Sequence, residues 1–172
     1  MALTGESVLY PLAVGNRWTY KMSTGGNYTN SVVAVDSASP NLFTLHNTTT
    51  NANSFMRKDG DIYYTNAFDA NVFHPYLKDD FTVGMNWAVQ YTANGIVTDT
   101  VMTVTEVGIS KEVEGKIYQN VTVVKGDSKF SMNGNVLPMS YSSEYFYAKG
   151  IGLFLTTTSN GDAHVLIDYV LN

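Results

Sequence analysis

The chain has 172 residues, 44% of them hydrophobic and only 15% charged, with a formal net charge of −5 and no cysteine. The negative charge and the lack of a basic patch argue against a nucleic-acid backbone as partner. The missing thiols exclude thiol catalysis, disulfides and cysteine-ligated zinc, and no run of about 18 apolar residues could form a membrane-spanning helix.

A chain of this length suits one β domain over residues 1–172 and can bury roughly 70% of its unfolded surface without a staple. Met1-Ala2-Leu3-Thr4-Gly5 has neither the basic nor the apolar region of a secretory leader. Surface polarity must come from Thr, Asn, Ser and Tyr rather than from charge. A Lys-poor surface of that kind reads as that of an exported protein (periplasm, cell surface or extracellular) whose leader has been removed.

The first strand opens at Leu9-Tyr10-Pro11-Leu12-Ala13-Val14-Gly15-Asn16-Arg17-Trp18-Thr19-Tyr20. Trp18, Tyr20 and Met22 share one face and Arg17, Thr19 and Lys21 the other, the period of a half-buried strand. Gly25-Gly26 turns this run into Tyr28 to Val35, and Pro40 separates that from Leu42 to Thr48. Asn51-Ala52-Asn53 and Asp59-Gly60 then frame Ser54 to Lys58 and lead into Ile62 to Thr65. Asn66 to Asp80 has no clean period and reads as an apolar crossing loop with at most a short strand, in the kind of long loop where binding often occurs.

Phe81-Thr82-Val83-Gly84-Met85-Asn86-Trp87-Ala88-Val89-Gln90-Tyr91 is a reduced copy of the opening stretch. Each copy places a Trp after Val-Gly-x-x at the head of an alternating run, so an internal duplication with starts near residues 11 and 80 is expected. Asn94-Gly95 turns into a long β-branched strand from Ile96 to Val107, and the charged stretch Gly108 to Gly115 could hold a helical turn. Ile117 to Lys125, Lys129 to Met132, the run from Val136 through Tyr147, Leu153 to Thr156 and Ala163 to Leu171 complete the count, with turns at Asn133-Gly134 and Asn160-Gly161. The expected fold is all-β: about 11 or 12 antiparallel strands in meander order, closing as a curved half-barrel or barrel-like sheet, or alternatively a β-sandwich.

Chemistry-bearing constellations are sparse. His46, His74 and His164 have no partner at catalytic spacing, and His164 and Asp168 on one strand face would lie about 13 Å apart. Asp59-Gly60-Asp61 lacks the rest of a calcium loop and is explained by its hairpin. No glycine-rich phosphate cradle is present. The sequence points to no cofactor and no metal, and to a protein that is not an enzyme.

Pro11-Leu12-Ala13-Val14-Gly15-Asn16-Arg17-Trp18-Thr19-Tyr20, Gly115-Lys116-Ile117-Tyr118-Gln119-Asn120-Val121 and Tyr147-Ala148-Lys149-Gly150-Ile151-Gly152-Leu153 together resemble uncharacterised exported proteins and lipoproteins of Bacteroidota and related bacteria. That resemblance implies an export signal and a curved antiparallel sheet like that of the periplasmic lipoprotein carriers. It brings no functional residues with it, and no lipobox cysteine is present.

The leading expectation is therefore a non-enzymatic exported β protein that holds an apolar or amphipathic ligand, such as a hydrophobic small molecule or lipid, or else a protein partner. Trp18, Trp87, Tyr145 and Tyr147 are the candidate wall residues, although each ring would serve equally as core. The rivals are a surface-structural subunit that self-assembles through strand edges and a glycan-acting hydrolase built on two convergent carboxylates.

Overall fold

The computed structural model describes residues 8–172; the Met1 to Gly5 stretch lies outside them. Twelve strands follow one another: β1 (Arg17–Met22), β2 (Asn27–Val35), β3 (Leu42–Asn47), β4 (Ala52–Asp59), β5 (Ile62–Asp69), β6 (Val72–Lys78), β7 (Asn86–Ala93), β8 (Ile96–Val113), β9 (Lys116–Met132), β10 (Asn135–Ala148), β11 (Gly152–Thr158) and β12 (Ala163–Val170). Among the described residues there is no helix.

All twelve join one antiparallel sheet in the order β6-β5-β4-β3-β2-β1-β12-β11-β10-β9-β8-β7. The first and last strands meet in its middle, where Trp18 pairs with Tyr169. The two edges, β6 and β7, are consecutive in the chain. The sheet curls into a nearly closed barrel until Phe68 of β5 stacks on Tyr91 of β7 with ring centroids 5.8 Å apart. The expected meander and curvature are present, in one sheet rather than the two of a sandwich, and curled further than a half-barrel. Curling hides one face of every strand and leaves a single seam of unpaired backbone.

Two expectations need correction. Asn66 to Asp80 is not a crossing loop: β5 continues to Asp69 and β6 returns from Val72. Asp69 Oδ1 accepts the Asn71 amide at 2.9 Å and so closes the turn. The pairing shifts between Thr65 and Asp69, and such an irregularity erases the period that a sequence reading relies on. Pro75 falls in this edge strand, where a missing donor costs the ladder least. Nor does 108–115 hold a helical turn, because β8 runs on to Val113. Three register shifts between Val104 and Lys111 let that strand bend without breaking.

The core fills one half of the barrel. Leu9, Trp18, Tyr63, Val121, Ala148 and Phe154 are fully buried there. The segment 8–12 crosses this interior between the two halves of the sheet. Val8 O accepts the Gly150 amide at 2.8 Å on one side, and Tyr10 O lies 3.0 Å from the Tyr63 hydroxyl on the other.

Candidate functional site

Why the other half is hollow follows from register. Inward positions on β8, β9 and β10 align as Val104–Val124–Tyr145, then Met102–Gly126–Ser143, then Thr100–Ser128–Tyr141. Moving along the barrel, bulky residues give way to Gly, Ser and Thr, so the wall recedes from the axis. A Cβ on Gly126 would sit 2.9 Å from Met102 Sδ, so even an alanine there would push the flexible Met102 side chain aside. Ala52 and Ser54 of β4 are the small residues of the opposite wall. What remains is an open cavity of about 830 Å³, within the range of small-molecule sites.

Its floor is Leu45, Met56, Met102 and Tyr10, and its walls carry the rings of Phe68, Tyr76, Tyr91, Phe130, Tyr141 and Tyr145. No Asp, Glu, Lys or Arg among the described residues lines it. Its polar groups are neutral and partly paired with one another: Asn47 Nδ2 donates to Asn30 Oδ1 at 2.7 Å, and the Thr100 and Ser128 hydroxyls lie 2.8 Å apart. His46, the one imidazole in the lining, has its Nδ1 2.8 Å from Asn53 Oδ1. Burial pushes the Tyr76 phenol up to about 12, against a hydrogen bond from Tyr147 that lowers it. Burial likewise raises Tyr145. Both rings therefore remain uncharged at neutral pH.

Of the four aromatic residues picked from sequence, Tyr145 lines the cavity itself. Two stand one layer behind it. The Tyr147 hydroxyl donates to the Tyr76 hydroxyl at 2.9 Å, and Trp18 stacks on Tyr10 at 4.7 Å. Trp18 also donates its Nε1 to Ile151 O at 2.6 Å. Gly152 leaves that bond room: a Cβ there would press on Trp18 Nε1 at 3.2 Å and on the Tyr10 ring at 3.1 Å, and its φ of +105° is one that favours glycine. Trp87 sits at the seam, half-buried and stacked on Phe81 at 5.2 Å. Its Nε1 and His74 Nε2, on the two edge strands, are buried without a hydrogen-bond partner among the described residues. Sequence reasoning missed Phe130, Tyr141 and Tyr91; the alternating small residues Gly126 and Ser128 were the signal that a hollow lay beside them.

Behind the floor lies a buried ion pair. Lys58 Nζ donates to Asp79 Oδ2 at 2.6 Å and to the Tyr63 hydroxyl at 3.1 Å. Asp79 Oδ1 accepts from the Leu9 amide at 2.8 Å and from the Tyr63 hydroxyl at 2.7 Å. This cluster fastens segment 8–12, which carries Tyr10, to the sheet. Among the described residues no group of His, Asp or Glu could hold a metal ion.

No protein-family model matches the chain, and no curated protein matches it in sequence. Solved structures are similar in fold. A candidate exported protein with a YmcC-like fold from Bacteroides fragilis superposes with a TM-score of 0.61 at 11% identity, over 96% of this chain and 100% of that one. A candidate lipoprotein from Parabacteroides distasonis does so with a TM-score of 0.60 at 11% identity, over 95% of this chain and 99% of that one. At such identity the likeness is one of fold.

Proposed function

We propose that the protein is an exported, non-catalytic carrier or receptor that holds an apolar or amphipathic small molecule in the hollow half of its barrel. The observation that carries this reading is the cavity of about 830 Å³ itself. A sheet that had only to be stable would fill its interior, as the other half of this one does, since empty apolar volume is destabilising. Export is supported by the fold shared with the candidate exported protein and the candidate lipoprotein. Hydrolysis of glycans would need an acid–base pair of carboxylates, and among the described residues the cavity lining supplies none. Assembly through strand edges has, among the described residues, only β6 and β7 to work with.

The test is titration with N-phenylnaphthylamine, a neutral apolar fluorophore, against the native protein and a Ser128→Trp variant that fills the hollow. Saturable enhancement at one probe per chain, lost in the variant, is the expected result. An enhancement that is absent, or that survives the filling, would contradict the proposal.

A further inference from the structure

We infer that the natural ligand is an uncharged amphiphile whose hydroxyl or amide groups are buried with it, rather than a fatty acid, a phosphate-bearing lipid or an amine. This rests on the reading of the cavity as a ligand site and goes beyond it by naming the chemical class.

Two features of the walls carry the inference. First, the polar groups are not confined to the mouth: besides Thr65, whose hydroxyl already donates to Phe55 O at 3.1 Å, the buried residues Thr98 and Ser143 line the cavity. A ligand that was hydrocarbon throughout would leave such hydroxyls desolvated and unpaired, so they fit a ligand with matching polar groups along its length. The Thr100–Ser128 pair, 2.8 Å apart, uses only one of its two hydroxyl protons, and the other O–H remains available to an acceptor. Second, every one of these groups is neutral, and no Asp, Glu, Lys or Arg among the described residues lines the wall. The charged side chains of β8 and β9 point elsewhere: Lys125 pairs with Asp127 at 3.1 Å, and Asp99 accepts from Gln90 on β7. Neither pair lies in the lining. An ionised ligand head drawn into this cavity would meet no carboxylate, ammonium or guanidinium among the described residues, His46 at the wall being already engaged with Asn53, and an unpaired charge removed from water is strongly disfavoured. Neutral hydroxyls and amides, interleaved with the faces of Tyr91, Phe130 and Tyr141, suit a molecule with alternating apolar and hydroxylated surface.

Three probes with the same hydrocarbon tail separate the possibilities: monolaurin, laurate and dodecylamine, each titrated calorimetrically at neutral pH below its micelle concentration. Monolaurin is expected to bind about tenfold or more tightly than either charged probe. A Ser128→Lys variant, which places a cation on the wall, should shift the preference towards laurate. Equal binding of all three, or tighter binding of a charged one, overturns the inference and leaves the cavity a site for tails. Failure of Ser128→Lys to favour laurate also counts against it. Binding of none of the three overturns the cavity reading itself.

Discussion

Val32 and Val104 hold the same place in the two halves of the chain. Gly15 N donates to Val32 O and Val32 N to Asn16 O, both at 2.8 Å; Gly84 N donates to Val104 O at 2.8 Å and Val104 N to Met85 O at 2.9 Å. Each grip is made by a tight turn, closed by Asn16 N to Ala13 O at 3.0 Å and by Met85 N to Thr82 O at 3.1 Å. Gly15 and Gly84 take φ of +94° and +91°.

The two glycines make a paired prediction. Gly84→Ala should cost about 1–2 kcal/mol through its backbone conformation alone, since nothing lies near its Cβ. Gly15→Ala should cost more, because its Cβ would run into the Asn172 side chain. Urea unfolding of both, and of Gly15→Ala combined with Asn172→Ala, checks this. The extra cost should vanish in the double variant.

The two tryptophans should behave unlike one another despite their matching positions. Trp18→Phe removes a fully buried ring's bond to Ile151 O and opens a void, for a loss of about 2–4 kcal/mol. In Trp87 the indole N–H is buried without a partner among the described residues, so Trp87→Phe should change stability by less than about 1 kcal/mol. Chemical denaturation of both variants decides. A Trp87 loss as large as that of Trp18 would mean that its N–H has a partner in solution.

The ion pair beneath the floor should be costly to break and cheap to replace whole. Lys58→Met leaves Asp79 buried without its cation and should destabilise by about 3–5 kcal/mol. Lys58→Met with Asp79→Leu should recover much of that. Because Asp79 Oδ1 accepts the Leu9 amide, hydrogen exchange at Leu9 should quicken in the double variant even where stability is recovered, which separates the anchoring of segment 8–12 from global stability.

High pH should unfold the protein in a defined window. Burial raises Tyr76 to about 12 and raises Tyr20 and Tyr147 well above their ordinary value. Below pH 10 these rings are protonated in both states, and the folded protein has its full stability. Above it the unfolded chain ionises first, so each ring removes about 1.4 kcal/mol per pH unit until its folded value is reached. Melting temperature should fall steeply from pH 10 to 12, with tyrosinate absorbance rising together with the loss of structure. A melting temperature that held steady across this window would contradict the burial.

The strand order was legible because its turns are local. Asn94-Gly95 and Asn133-Gly134 adopt positive φ at both residues, the backbone that a two-residue hairpin needs. The pairing of β1 with β12 was not legible, since it joins residues from opposite ends of the chain and no local signal announces it. The hollow was hidden for a related reason. It arises where Gly126, Ser128 and Ser143 come into line across three strands, and that alignment depends on bulges at Val104/Glu106 and Val136/Ser140. Tyr145 could be picked because its alternation is clean. Trp18 and Tyr147 share the same inward pattern, but only the full register puts them behind the floor instead of in it.

The most direct test of the account follows amide resonances of isotope-labelled protein as monolaurin is added. The account predicts saturable shifts at one ligand per chain, concentrated at Thr98, Thr100, Gly126, Ser128, Ser143 and Tyr145, with the amides of β12 unmoved. Shifts spread over outward-facing positions, or none at concentrations approaching the micelle threshold, would contradict it.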